Sequence, residues 1–110
     1  MFYQSRQFSP ERLPGDVSRK IGARGGTMML AEVTFAQPSA EPPSLHSHPH
    51  EQVSYVAQGR IVFFLGEESR QLEAGDSVYC PGGVPHGVQP LTPGAVVLDI
   101  FHPLREDLLG

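Results

Sequence analysis

The sequence predicts a single all-β domain, a sandwich or barrel of short strands. Three observations carry this. Glycine and proline number 12 and 11 among 110 residues, a proportion that favours frequent turns over long helices. Eight or nine short apolar, β-branched runs recur at roughly 6–12-residue spacing, the pattern of a sandwich or barrel. No stretch has the periodicity of a helix beyond one terminal turn at 105–109.

Taken in order, residues 1–20 are polar and broken by Pro10, Pro14 and Gly15. They read as an irregular arm preceding a barrel at 21–110, with one possible short strand near 17–21. Arg24-Gly25-Gly26 is a turn. Over 28–36, Met29, Ala31, Val33 and Phe35 share one face of a strand, since alternate side chains point the same way. The loop 37–44, with three prolines, leads into a histidine-rich stretch read as a strand. Strands follow at 52–57 and 60–65. The second is apolar on both faces, as expected for a strand covered on both sides. Gly66–Ser69 turns the chain back along 70–73. Short strands at 77–80 and 87–89 flank a Pro81-Gly82-Gly83 turn, and 95–101 (AVVLDIF) is the last clear strand.

Composition excludes several function classes. The net charge is −4 with no basic run, which argues against nucleic-acid binding. No apolar stretch reaches the roughly 18 residues of a membrane span, and the N-terminus has no apolar signal core. The single cysteine, Cys80, cannot form an intrachain disulfide and reads as a core residue. A cytoplasmic setting is the expectation. The both-face apolarity of so small a chain suggests a homodimer.

The chemistry-bearing stretch is LHSHPHEQVSYVAQG (45–59), with His46, His48 and His50 in five residues. On a strand, His46 and His48 present two imidazoles to one side, and imidazole suits Zn, Cu, Fe and Ni. A second stretch, GDSVYCPGGVPH (75–86), supplies His86. The two read HxHx3(Q)x6G and Gx5PxGx2H, and together they resemble the two motifs of the cupin superfamily. The departures are Gln52 where that pattern usually has Glu, Ala40 for its leading Gly and Pro90 for its closing Asn. The resemblance implies a double-stranded β-helix, a jelly-roll barrel.

The ligand set proposed for one divalent transition ion (Zn, Ni, Fe or Mn) is His46, His48, Gln52 and His86. His50 rivals Gln52 by strand parity, while the family spacing points to Gln52. Three imidazoles and an amide bring no negative charge, which leaves a bound ion a stronger Lewis acid. In the strand 95–101, Asp99 is a carboxylate among apolar residues. Facing the barrel interior it is a candidate general acid or base; facing solvent or paired with an arginine it is structural.

The tail DIFHPLREDLLG resembles the closing segment of the small pectin-degradation cupins of the KdgF type, as do LHSHPHEQVSYVAQG, GDSVYCPGGVPHGV and the early Arg19-Lys20 pair. This resemblance implies a dimeric enzyme that converts 4,5-unsaturated uronate monosaccharides to linear ketouronates. It implies a His46, His48, Gln52 and His86 metal set with Asp99, Phe101 and Arg105 at the active site. Asp99 would move a proton, Phe101 would wall the pocket and Arg105 would pair with the substrate carboxylate. A surface salt bridge to Glu106 or Asp107 is the alternative for Arg105. Arg60 is a weaker candidate cation. The competing functions are an iron-dependent cupin dioxygenase and a non-catalytic sugar-binding cupin.

Overall fold

The computed structural model describes residues 1–109. Among them lie nine strands: β1 (Glu11–Leu13), β2 (Val17–Arg24), β3 (Met29–Phe35), β4 (Glu51–Gln58), β5 (Arg60–Leu65), β6 (Glu68–Glu73), β7 (Ser77–Cys80), β8 (His86–Pro90) and β9 (Ala95–His102). A six-stranded sheet has the order β1-β2-β3-β9-β4-β7, and a three-stranded sheet the order β6-β5-β8. Every named pairing is antiparallel. Glu106–Leu108 form a 3-10 turn where the sequence predicts a terminal turn, and Ser5–Gln7 form another.

The inner faces make the core by simple alternation. On β3, Met29, Ala31 and Phe35 are buried; on β9, Ala95, Val97 and Phe101 are. Phe35, Val56, Ile61, Phe63, Ala95 and Val97 form the main apolar cluster between the sheets. Met29, Ala31 and Phe101 form a second cluster, capped by Leu104 and Leu108. The register explains why there are two. Val56 pairs with Val97 and Gln52 with Phe101, so the row between them on the same face is Ser54 opposite Asp99. A polar row therefore crosses an otherwise apolar sheet, and buried polar groups there need partners.

The arm expected over residues 1–20 is in part sheet. β1 pairs with β2, and β2 pairs with β3 from Val17↔Phe35 to Arg24↔Met29. The short strand expected near 17–21 is the first part of β2 (Val17–Arg24); its inner face places Arg19 between Val17 and Ile21, which weakens the apolar alternation. The histidine stretch is likewise not a regular strand. β4 begins at Glu51, and His46 makes only an isolated bridge to His86. The prolines at 42, 43 and 49 remove donors that a ladder would need.

Gly59 turns β4 into β5 at φ 80°, a left-handed conformation glycine adopts without steric cost. A side chain there would also run into Thr92 and Ala95.

A candidate metal centre beside a buried carboxyl

Two loops bring the imidazoles together. The backbone of His46 exchanges both hydrogen bonds with that of His86, at 3.0 and 2.9 Å, and the Gly83 N–H donates to the His48 carbonyl at 2.8 Å. Gly82 lies so close to the Pro49 carbonyl that a Cβ would overlap it. The Pro-Gly-Gly turn is thus a seat for the histidine loop.

The result is a cluster in which one ring nitrogen from each of His46, His48 and His86 lies within 4.8 Å of the others. Ring centroids are 4.4 Å apart for His46–His86 and 4.8 Å for His48–His86. Backbone carbonyls set the tautomers. His48 Nδ1 donates to the His50 carbonyl and His86 Nδ1 to the Val84 carbonyl, each at 2.9 Å. A neutral imidazole that donates from Nδ1 keeps its lone pair on Nε2, and such outer partners are how metal-binding histidines are oriented. His86 Nε2 is buried with no hydrogen-bond partner in the protein.

Gln52 lies beside this cluster. Its Nε2 donates to Ser54 Oγ at 2.8 Å and to Asp99 Oδ1 at 3.3 Å, while the Ser54 hydroxyl donates to Asp99 Oδ1 at 2.6 Å. This fixes the amide with Oε1 toward His48 Nε2, 3.1 Å away. Two acceptors then face each other. Turning the amide over would set its oxygen against the Asp99 carboxyl instead. A cation shared by the two lone pairs resolves the conflict, so the residues present fit a metal ion held by His46, His48, Gln52 and His86. His50 lies outside the three-histidine cluster, and its carbonyl orients His48.

Burial and the neighbouring imidazoles His86 and His48 hold His46 below the usual histidine range, and burial with the Arg105 charge does the same for His48. Both rings are therefore neutral at pH 7, the form that ligates.

Asp99 faces the same space. Burial pushes its carboxyl up to about 6, against the Ser54 hydrogen bond and the charges of Arg105 and Arg19. A pocket of about 240 Å³ is lined by His46, His86, Gln52, Asp99, Phe101 and Arg105, with Arg19 and Leu13 on the hairpin side. That lies below the roughly 300–1,000 Å³ of pockets for drug-sized ligands, a size suited to one sugar ring. Phe101 meets His48 edge-on at 5.6 Å. The Arg105 guanidinium sits 5.1 Å over the Phe101 ring and pairs with Asp107 at 2.7 Å. The ion pair foreseen for Arg105 thus exists alongside its place in the pocket.

Arg60 is not brought to the site. It is exposed at the start of β5, opposite Glu73, whereas the other end of β5 pairs Leu65 with His86. Cys80 is fully buried on β7 and its thiol is pushed up by burial and by Asp99, consistent with a core residue.

The sequence reading missed Ser54. A serine in a strand gives no signal until register sets it beside Asp99. Ser54→Ala is expected to free the Gln52 amide to turn and to weaken metal binding by roughly tenfold, the lower end of the cost of losing an outer partner. Competition with a chromophoric chelator measures this.

A jelly-roll barrel whose two loop motifs converge three histidines and a glutamine on a candidate metal centre defines a small cupin, and residues 32–101 match the Cupin domain family. The chain belongs to the cupin family. It is 34% identical over 99 residues to the pectin degradation protein KdgF of Dickeya dadantii (strain 3937), covering 90% of this chain and 89% of that one. Among solved structures it is similar to KdgF from Halomonas sp. (TM-score 0.89, 30% identity, 98% and 97% of the two chains). It is also similar to an RmlC-like cupin from Shewanella frigidimarina NCIMB 400 (TM-score 0.86, 30% identity, 97% and 94%).

Proposed function

We propose that this cupin, loaded with one divalent transition ion, converts 4,5-unsaturated uronate monosaccharides to linear ketouronates, a step in pectin or alginate breakdown. The observation that carries this is the meeting, in one pocket of sugar-ring size, of a neutral ligand set, a carboxyl of raised pKa and a guanidinium. Similarity to two KdgF proteins supports the substrate class.

The reaction is an isomerisation. The C1 hydroxyl loses its proton, the C1–O5 bond breaks to give the C1 aldehyde, and the enol left at C5 becomes a ketone as C4 gains a proton. The bound ion would supply Lewis-acid polarisation of substrate oxygens. Asp99, its carboxyl pushed up to about 6 by burial, can hold or move the proton, as general acid–base groups do. Ser54 and Gln52 occupy one of its oxygens, Oδ1, and leave Oδ2 for the substrate. Arg105 pairs with the substrate carboxylate through donors that Asp107 does not use. Phe101 walls the site and helps exclude water.

Purified metal-loaded protein incubated with lyase-generated unsaturated uronate should accelerate the loss of absorbance of the conjugated double bond. Loss at the spontaneous rate would reject this reading.

A homodimer in a cytoplasmic setting accompanies the proposal. The outer face of the large sheet exposes Val53, Tyr55 and Tyr79, with Leu98 and Ile100 opposite Tyr55 and Val53. Sedimentation should give twice the 12.0 kDa chain mass, and Tyr55→Glu should shift it toward the monomer. A monomeric wild type would overturn the dimer. No helix among the described residues is long and apolar enough to cross a membrane.

A further inference from the structure

Three buried side-chain atoms among the described residues lack a hydrogen-bond partner: His86 Nε2, His50 Nδ1 and Arg19 Nε. The first belongs to the candidate metal cluster. The third lies on a residue that lines the same pocket, beside Val33 of β3, whereas the Arg105 backbone lies against Met29 at the start of that strand. A buried donor without an acceptor is costly, and a ligand oxygen is the partner the pocket can supply.

The fold holds Arg19 there for a reason visible in the register. Arg19 pairs with Val33 of β3, whose parity is that of the buried Met29, Ala31 and Phe35. Its side chain therefore points inward from β2. Glu11, directly across in β1, accepts from Arg19 Nη2 at 3.0 Å and is itself exposed. The short N-terminal hairpin is thus built to carry a guanidinium into the pocket and steady it from the solvent side.

The two arginines differ in what they leave free. Arg105 gives both Nε and Nη2 to Asp107, at 3.4 and 2.7 Å. Arg19 gives only Nη2 to Glu11, so of its five N–H donors the Nε and Nη1 positions carry no protein acceptor. Both charges are felt at the Asp99 carboxyl.

We propose that Arg19 is a specificity-determining residue, a second guanidinium that binds oxygens of an acidic monosaccharide at the end remote from Arg105. The pocket then selects a ligand by gripping it at two ends, a carboxylate at one and hydroxyl or carbonyl oxygens at the other. Glu11 acts through Arg19 as a positioning residue. The identity of the sugar acid rests on the reading above; the role of Arg19 as a ligand contact does not.

The test uses metal-loaded wild type, Arg19→Met and Arg19→Lys, each checked for metal content. Calorimetric titration with D-galacturonate, a saturated uronate, reads binding, and unsaturated-uronate kinetics read KM and kcat separately. Loss of a charge-assisted hydrogen bond predicts roughly 10- to 100-fold weaker galacturonate binding in Arg19→Met. KM should rise by a similar factor with kcat nearly unchanged, the mark of lost uniform binding. Arg19→Lys, which keeps the charge and loses the fork, should fall between the two, and it decides the matter if Arg19→Met does not fold. Galacturonate affinity equal to wild type in the variants, no galacturonate binding by wild type, or a fall in kcat alone would overturn the proposal. Wild-type turnover with an unaffected Arg19→Met rejects the role of Arg19 and keeps the activity. No turnover, with galacturonate binding lost in Arg19→Met, rejects the activity and keeps the role.

Discussion

His86→Ala is expected to give a folded protein that keeps no stoichiometric metal and shows no turnover. The backbone bonds that tie residue 86 to His46 do not involve the imidazole, so the two loops stay joined. What is lost is the nitrogen with no partner inside the protein. Two imidazoles and a neutral amide oxygen remain, without a negative charge to compensate. The loss in metal affinity should exceed the roughly 10–100-fold that removal of an outer-shell partner costs. Metal content after dialysis, with a thermal melt to confirm folding, checks this. Full metal retention would show that His86 is not a ligand.

Asp99→Asn is expected to keep the metal and the fold while lowering kcat by roughly 10²–10⁴, the usual worth of acid–base catalysis. The amide oxygen of the variant can still accept from Ser54 and Gln52, so Gln52 keeps its orientation. Unchanged turnover would remove Asp99 from the chemistry. The same variant reports on stability. The folded carboxyl is raised to about 6, against about 3.9 in an unfolded chain. The folded state therefore binds the proton more tightly, and the metal-free protein loses stability as pH rises from about 4 to about 6. Linkage makes that loss roughly 3 kcal/mol when ionisation is complete. His46 and His48 run the opposite way, losing stability as pH falls below 6.5 through their lowered values. Subtracting denaturation curves of Asp99→Asn from wild type across this range isolates the carboxyl. A flat difference would contradict the raised value.

The two loop motifs were legible because ligand spacing and turn residues are local properties. Spacing read against the family pattern grouped His46, His48, Gln52 and His86 before any fold was known, and β5 and β7 were read to the residue. Asp99 stood out as a carboxylate in an apolar run, and the inward parity of Val97 and Phe101 carried it into the pocket. What the sequence could not show depends on register across strands. Ser54 is unremarkable until it is placed opposite Asp99. Arg19 interrupts the apolar alternation of β2, so only a short strand near 17–21 could be read there and its pairing with β1 could not. Arg60 was misplaced because the sequence says it begins a strand but not which end of that strand meets His86. The histidine loop was read as a strand because parity was assumed where prolines prevent pairing.

X-ray absorption at the edge of the bound metal tests the central claim most directly. The geometry predicts a stoichiometric ion with three imidazole nitrogens and at least one oxygen, and loss of one imidazole contribution in any ion retained by His48→Ala. A wild-type protein that retains no ion, or one bound by fewer than three imidazoles or by sulfur, would contradict it.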